Sequence, residues 1–143
     1  SRQARGQAMI VADTNLVAYL LLESAQSDAA GRVWRKDPDW RLPSLWRSEL
    51  LSVLARTVTL KGCPIETART AFRRAEMLFG SSEVAVEGER ILDVACSRGI
   101  TAYDAHFVVA ALKLGVPLVT GDRQLLKACR DVAVSFDGFA GVD

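Results

Sequence analysis

Met9-Ile10-Val11-Ala12-Asp13-Thr14-Asn15 is the stretch that decides the fold. A short apolar run that ends on an acid, a hydroxyl and an amide reads as a buried strand delivering its chain into a helix start. The helix continues through Leu16 to Glu23. Strands that are apolar without alternation are covered on both faces, the signature of a parallel sheet with helices on either side. Downstream the same alternation recurs. A second helix is expected over Ser27 to Lys36, then a turn at Asp37-Pro38-Asp39 and a short extended piece at Trp40 to Pro43. Ser44 is placed to cap a long helix that reaches about Leu60 and closes at Lys61-Gly62. Pro64 opens another, with Ala68, Ala71, Phe72, Ala75 and Phe79 on one face. A strand at Val84 to Val86 precedes helices at Glu87 to Arg98 and Thr101 to Leu114. Pro117 to Thr120 is the next strand, Arg123 to about Cys129 a short helix, and Val132 to Val134 the last strand. The pattern predicts an α/β fold with a mainly parallel sheet.

The 143 residues fit one core. We expect residues 1–8 to be a lead-in outside the fold and residues 9–143 to form a single domain. Half the residues are hydrophobic and 24% are charged, a globular composition rather than a disordered or fibrous one. The longest apolar run, Leu16 to Leu22, is far too short to span a bilayer, so no membrane partner is expected. Cys63, Cys96 and Cys129 form no CxxC, and a single histidine argues against a structural zinc site. The thiols are expected to be reduced and mostly packed, in a cytoplasmic protein. There is no GxGxxG after the first strand, no phosphate-binding P-loop and no nucleophile elbow.

Four acids stand where structure alone does not ask for them. Asp13 follows the first strand and Asp122 follows Val119-Thr120, so both belong to the strand ends where α/β sheets bind ligands. Glu49 falls on the apolar seam of its helix with Leu45, Trp46 and Val53, and Asp104 shares a face with Phe107, Val108 and Ala111. Each has a structural alternative: helix caps for Asp13 and Asp122, a capping box with Thr101 for Asp104, an arginine salt bridge for Glu49. Brought together they form a different object. Converged carboxylates without histidine or thiolate are oxygen-only donors suited to Mg²⁺ or Mn²⁺.

Ala12-Asp13-Thr14-Asn15, Arg47-Ser48-Glu49-Leu50, Thr101-Ala102-Tyr103-Asp104-Ala105 and Thr120-Gly121-Asp122 resemble, in order and spacing, the acidic motifs of PIN domains. The likeness extends from Met9 onward and is nearest to bacterial VapC-type toxins. It departs at Leu125-Leu126, where an aromatic is frequent, a matter of packing rather than chemistry. The resemblance implies a PIN-like three-layer α/β/α sandwich with four to five strands. It also implies a Mg²⁺- or Mn²⁺-dependent endoribonuclease, usually a homodimer, held inactive by a cognate VapB-type antitoxin. Asp13, Glu49, Asp104 and Asp122 would form its catalytic cluster, with Asp13, Asp104 and Asp122 at the metal and Asn15 and Thr120 as supporting polar neighbours.

The formal charge of +1 hides a division. With the four site acids set aside, the rest of the chain carries a clear basic surplus, rich in arginine, whose forked guanidinium suits phosphate. Arg47 and Arg123 are nearest to the site in sequence; Arg73-Arg74 and Arg32-Arg35-Lys36 read as exposed helix faces. His106 is expected to be exposed, away from the Phe107 face, and Trp34, Trp40 and Trp46 to pack rather than stack on bases. Two rivals are a haloacid-dehalogenase-like phosphohydrolase and a non-catalytic interaction module. The first usually has a second aspartate two residues after the leading acid, where this chain has Asn15.

Overall fold

The computed structural model describes residues 8–141, so the expected lead-in lies, except for Ala8, outside the described residues. Strand β1 (Ile10–Ala12) leads into helices α1 (Thr14–Leu21) and α2 (Ser27–Lys36) and then β2 (Trp40–Pro43). Helices α3 (Trp46–Lys61) and α4 (Ile65–Phe79) connect to β3 (Glu83–Val84). Helices α5 (Gly88–Arg98) and α6 (Ala102–Leu114) carry the chain to β4 (Leu118–Val119). Helix α7 (Arg123–Ala128), β5 (Ala133–Val134) and α8 (Phe136–Ala140) complete the order.

The five strands form one sheet in the order β3-β2-β1-β4-β5, and every pairing is parallel. That order places the site. From β1 the chain steps outward to β2 and β3, then returns across the sheet to β4 and steps the other way to β5. Right-handed crossovers therefore put α1 to α4 on one face and α5 to α7 on the other. The helices diverge between β1 and β4, opening a crevice at the carboxyl ends of those two strands.

All three residues of β1 are fully buried, as are Leu118 and Val119 beside them, so the centre of the sheet is dry. Helix α6 lies across β1, β2 and β4 and presents Val108, Ala110 and Ala111 with no exposed surface. On the opposite side Phe79, at the end of α4, gathers the tryptophans. It stacks on Trp40 at 5.7 Å and meets Trp34 and Trp46 edge-on. Both buried indoles find acceptors: Trp40 Nε1 donates to the Asp37 carbonyl at 2.7 Å and Trp46 Nε1 to Glu83 at 2.8 Å. The tryptophans are packing residues.

Several details differ from the sequence reading. Ser44 does not cap α3; the residue before the helix, Leu45, is already helical (φ −57°, ψ −20°) and makes no side-chain cap. The start of α3 is held instead by Trp46 and Arg47, both bonded to Glu83 of β3. Val86 lies outside the sheet, because β2 offers partners only to Glu83 and Val84. Helix α8 is an addition, too short for a periodic signal and started by Ser135 accepting from the Gly138 amide at 2.9 Å. Of the thiols only Cys129 is buried; Cys96 is exposed and Cys63 half-buried, and all three are free. Among the described residues no helix is long and apolar enough to cross a membrane.

Phe79 holds three aromatic neighbours at once, so its removal should open a cavity that the sheet cannot close. Phe79→Ala is expected to cost about 3–5 kcal/mol, read as a lower urea midpoint at unchanged slope. A loss below about 1 kcal/mol would mean that the tryptophans repack without it.

Candidate metal centre at the sheet switch point

Asp13 emerges from β1 into the crevice and does two things at once. Its Oδ1 accepts from the Leu16 amide at 2.8 Å, capping α1, while Oδ2 accepts from Thr120 Oγ1 at 2.6 Å. Thr120, fully buried at the end of β4, accepts in turn from the Asp122 amide at 3.0 Å. Asp122 caps α7 through the Gln124 and Leu125 amides. The cap reading and the site reading of these two aspartates therefore describe the same side chains. Glu49 comes from the first turn of α3 and accepts from Thr14 Oγ1 at 2.9 Å. Asp104 sits in the first turn of α6, its amide donating to Thr101 Oγ1 at 3.0 Å.

All four carboxylates line one cavity of about 300 Å³, together with Asn15 and Arg56. Asp13 is 9% exposed, and burial pushes its carboxyl up to about 6 despite the bonds from Thr120 and Leu16; the charge of Asp122 adds to the rise. Burial also raises Glu49, with the charge of Asp104 acting in the same direction and the Thr14 bond and His106 opposing it. Asp104 is raised by burial and by Asp122. The acids feel one another across the cavity, and among the described residues no arginine bridges them.

Two expectations change here. Arg47 does not approach the site: it pairs with Glu83 and Glu76 and lies over the Trp46 ring at 5.1 Å. His106 is half-buried rather than exposed, with Nδ1 2.7 Å from the Ala102 carbonyl, and is near enough to Glu49 to favour its charge. Thr14 and Arg56 were passed over in the sequence. Thr14 looked like cap chemistry alone, whereas Arg56 is two helical turns beyond Glu49, a spacing that could have marked it.

Among the described residues no three His, Cys, Asp or Glu side chains close into a ready-made metal cage. The donor set still fits Mg²⁺ or Mn²⁺. Mg²⁺ keeps much of its water and takes only one or two protein carboxylates, and a set of mutually repelling oxygens is what a cation relieves.

Residues 10–131 match the family model described as PIN domain. The chain belongs to the PIN domain family. PIN domains are generally metal-dependent nucleases. In the solved structures the chain is similar to PAE2754 from Pyrobaculum aerophilum, at a TM-score of 0.74 and 21% identity, over 94% of this chain and 88% of that one. At that identity the likeness speaks for the fold. No curated protein matches the chain. Membership of the PIN family displaces the haloacid-dehalogenase reading, against which Asn15 already stood.

The raised carboxyl of Asp13 makes stability depend on pH in a stated direction. Between its ordinary value of 3.8 and about 6, the folded protein keeps a proton that the unfolded chain releases. Stability therefore falls as pH rises through that window, and the whole penalty stands above it. Asp13→Asn keeps the cap and removes the charge. In chelator it should stabilise the fold by at most about 3 kcal/mol at pH 7.5 and by little at pH 4. Melting temperatures of both proteins at the two pH values test this; an equal change at both would show that the buried charge is not its source.

Proposed function

We propose that this PIN domain is a Mg²⁺- or Mn²⁺-dependent endoribonuclease and the toxin of a VapBC-type pair, acting in the cytoplasm as a homodimer that a VapB-type antitoxin silences. One observation carries the catalytic reading: carboxylates from four separate elements face one cavity at the sheet switch point, and among the described residues none of the four is in an ion pair. A divalent cation at Asp13, Asp104 and Asp122 would supply an activated water and neutralise charge on a phosphodiester. The protein's own groups divide the remaining work. Thr120 fixes the plane of the Asp13 carboxylate, and the α1 amide of Leu16 locks its other oxygen. Thr14 aims Glu49 by one oxygen, leaving the other free toward the cavity. The raised Glu49 carboxyl is better suited than an ordinary one to take a proton from water near neutral pH. The toxin assignment rests on the likeness of the four motifs to VapC-type sequences.

The proposed assembly rests on apolar surface along two helices. Leu20, Leu21, Leu22 and Trp34 pack against the core, whereas Leu51, Ile65, Met77 and Leu78 are exposed along α3 and α4. Leu51 and Ile65 border one apolar cavity between the two helices, and exposed apolar surface of that kind marks a contact face.

Cleavage of RNA in Mn²⁺ tests the catalytic reading. Asp104→Asn and Glu49→Gln should each lower the rate by about 10²-fold or more while the melting temperature in chelator holds, and should relieve growth arrest on expression. Parent protein that leaves RNA intact in both metals would favour the non-catalytic module. For assembly, sedimentation at micromolar concentration should show a dimer that Ile65→Glu converts to monomer; a 15.6 kDa monomer throughout would remove the dimer.

A further inference from the structure

The carboxylate cavity is not closed at its α3 side. Asn15, Val53 and Arg56 line both that cavity and a second one of about 660 Å³ that continues between α1 and the end of α3 as far as Lys61. Its walls include Tyr19, Leu22 and Leu60, so it is an apolar channel with cations at one edge. Among the described residues neither of those cations is engaged in an ion pair, and nor is Arg123 on the far side of the acids. Arg32, Arg41, Arg47, Arg69 and Arg98 are each held in an ion pair, whereas Arg56 and Lys61 are exposed and have no partner among the described residues. On the other side of the acids lies a cavity of about 650 Å³ where Asp28 and Asp137 join Asp13 and Asp122. Arg123 and Arg32 face these acids, and Arg32 is already paired with Asp137. A polyanion leaving the site meets four carboxylates against two arginines in that direction, and Arg56 and Lys61 against the single carboxylate of Glu23 in the other.

We propose that the channel from Asn15 to Lys61 seats a single-stranded RNA segment adjoining the scissile bond, its phosphates held by Arg56 and Lys61. This rests on the nuclease reading above and gives the strand a direction and two phosphate contacts. A phosphodiester strand needs unpaired cations along its path, and Arg56 stands where the acid cavity becomes the channel. Tyr19 and the leucines offer ring and apolar contact to bases, which only an unpaired strand can turn outward. Both basic residues are positioning residues; neither touches the reacting atoms.

The test is binding rather than turnover. In an Asp104→Asn background, in chelator, affinity for a short mixed-sequence single-stranded RNA is measured across a salt series. Loss of two phosphate contacts lowers the log–log salt slope by about 1.4, and of one by about 0.7. Arg56→Gln with Lys61→Gln should produce the full change, each alone about half, and Arg74→Gln, on an exposed face outside the channel, none. An unchanged slope in the double variant, or no binding by the background protein, overturns the channel. So does an equal loss from Arg123→Gln, which would route the strand the other way. Duplex RNA bound as tightly as the single strand would overturn the single-strand assignment. A polyglutamate peptide competing as well as RNA at equal charge would give the channel to an acidic protein segment instead. The two readings fail separately: a parent protein that cuts RNA while the slope is unchanged loses only the channel. One that cuts nothing while the slope falls loses only the nuclease.

Discussion

The hydroxyl of Thr120 holds the two halves of the molecule in register at the point where function is expected. It donates to Asp13 at the end of β1 and accepts from the amide of Asp122 beyond β4, so one atom joins the starts of α1 and α7 across the sheet switch point. Because Thr120 is fully buried, these bonds do not compete with water. The position of Asp13 then follows from strand geometry on one side and helix capping on the other. Glu49 and Asp104 are brought to the same place by the helices on the two faces of the sheet.

That arrangement carries a cost at neutral pH. Asp13, Glu49 and Asp104 are all raised chiefly by burial, and each also feels a neighbouring carboxylate or shares a cavity with one. Without a cation the folded state must hold that repulsion. The stability that offsets it is built elsewhere, in the dry β1–β4 centre and in the aromatic group around Phe79. Separation of the two is physically useful. The site can keep unfavourable charge because the core that supports it shares none of its residues.

Arginine placement follows the same division. Arg47, two residues before Glu49, anchors α3 to β3 and α4. Arg98 forms a two-bond pair with Asp131, tying the end of α5 to the segment before β5. Arg56, two helical turns beyond Glu49, lines the acid cavity without an ion pair among the described residues. Basic residues near the site in sequence and basic residues near it in space are different sets.

Much was legible in the chain before any coordinates. Local chemistry determined the elements: apolar runs of strand length, Asp, Thr and Gly at helix ends, and a proline opening α4, each acting over a few residues. The acids stood out because Glu49 and Asp104 break apolar helical faces and Asp13 and Asp122 end strands, all of which are properties of spacing. Local pattern did not determine which partners those side chains would meet. Ser44 is a competent cap by type, yet α3 is anchored through Glu83, a residue brought near by strand pairing. Arg47 and Arg56 are chemically identical, and only the phase of α3 against α4 and β3 turns one toward Glu83 and the other into the cavity. Likewise the shared hydroxyl of Thr120 exists only because β4 lies beside β1. Spacing along the chain sets how a side chain points from its own element; the packing of elements decides what it points at.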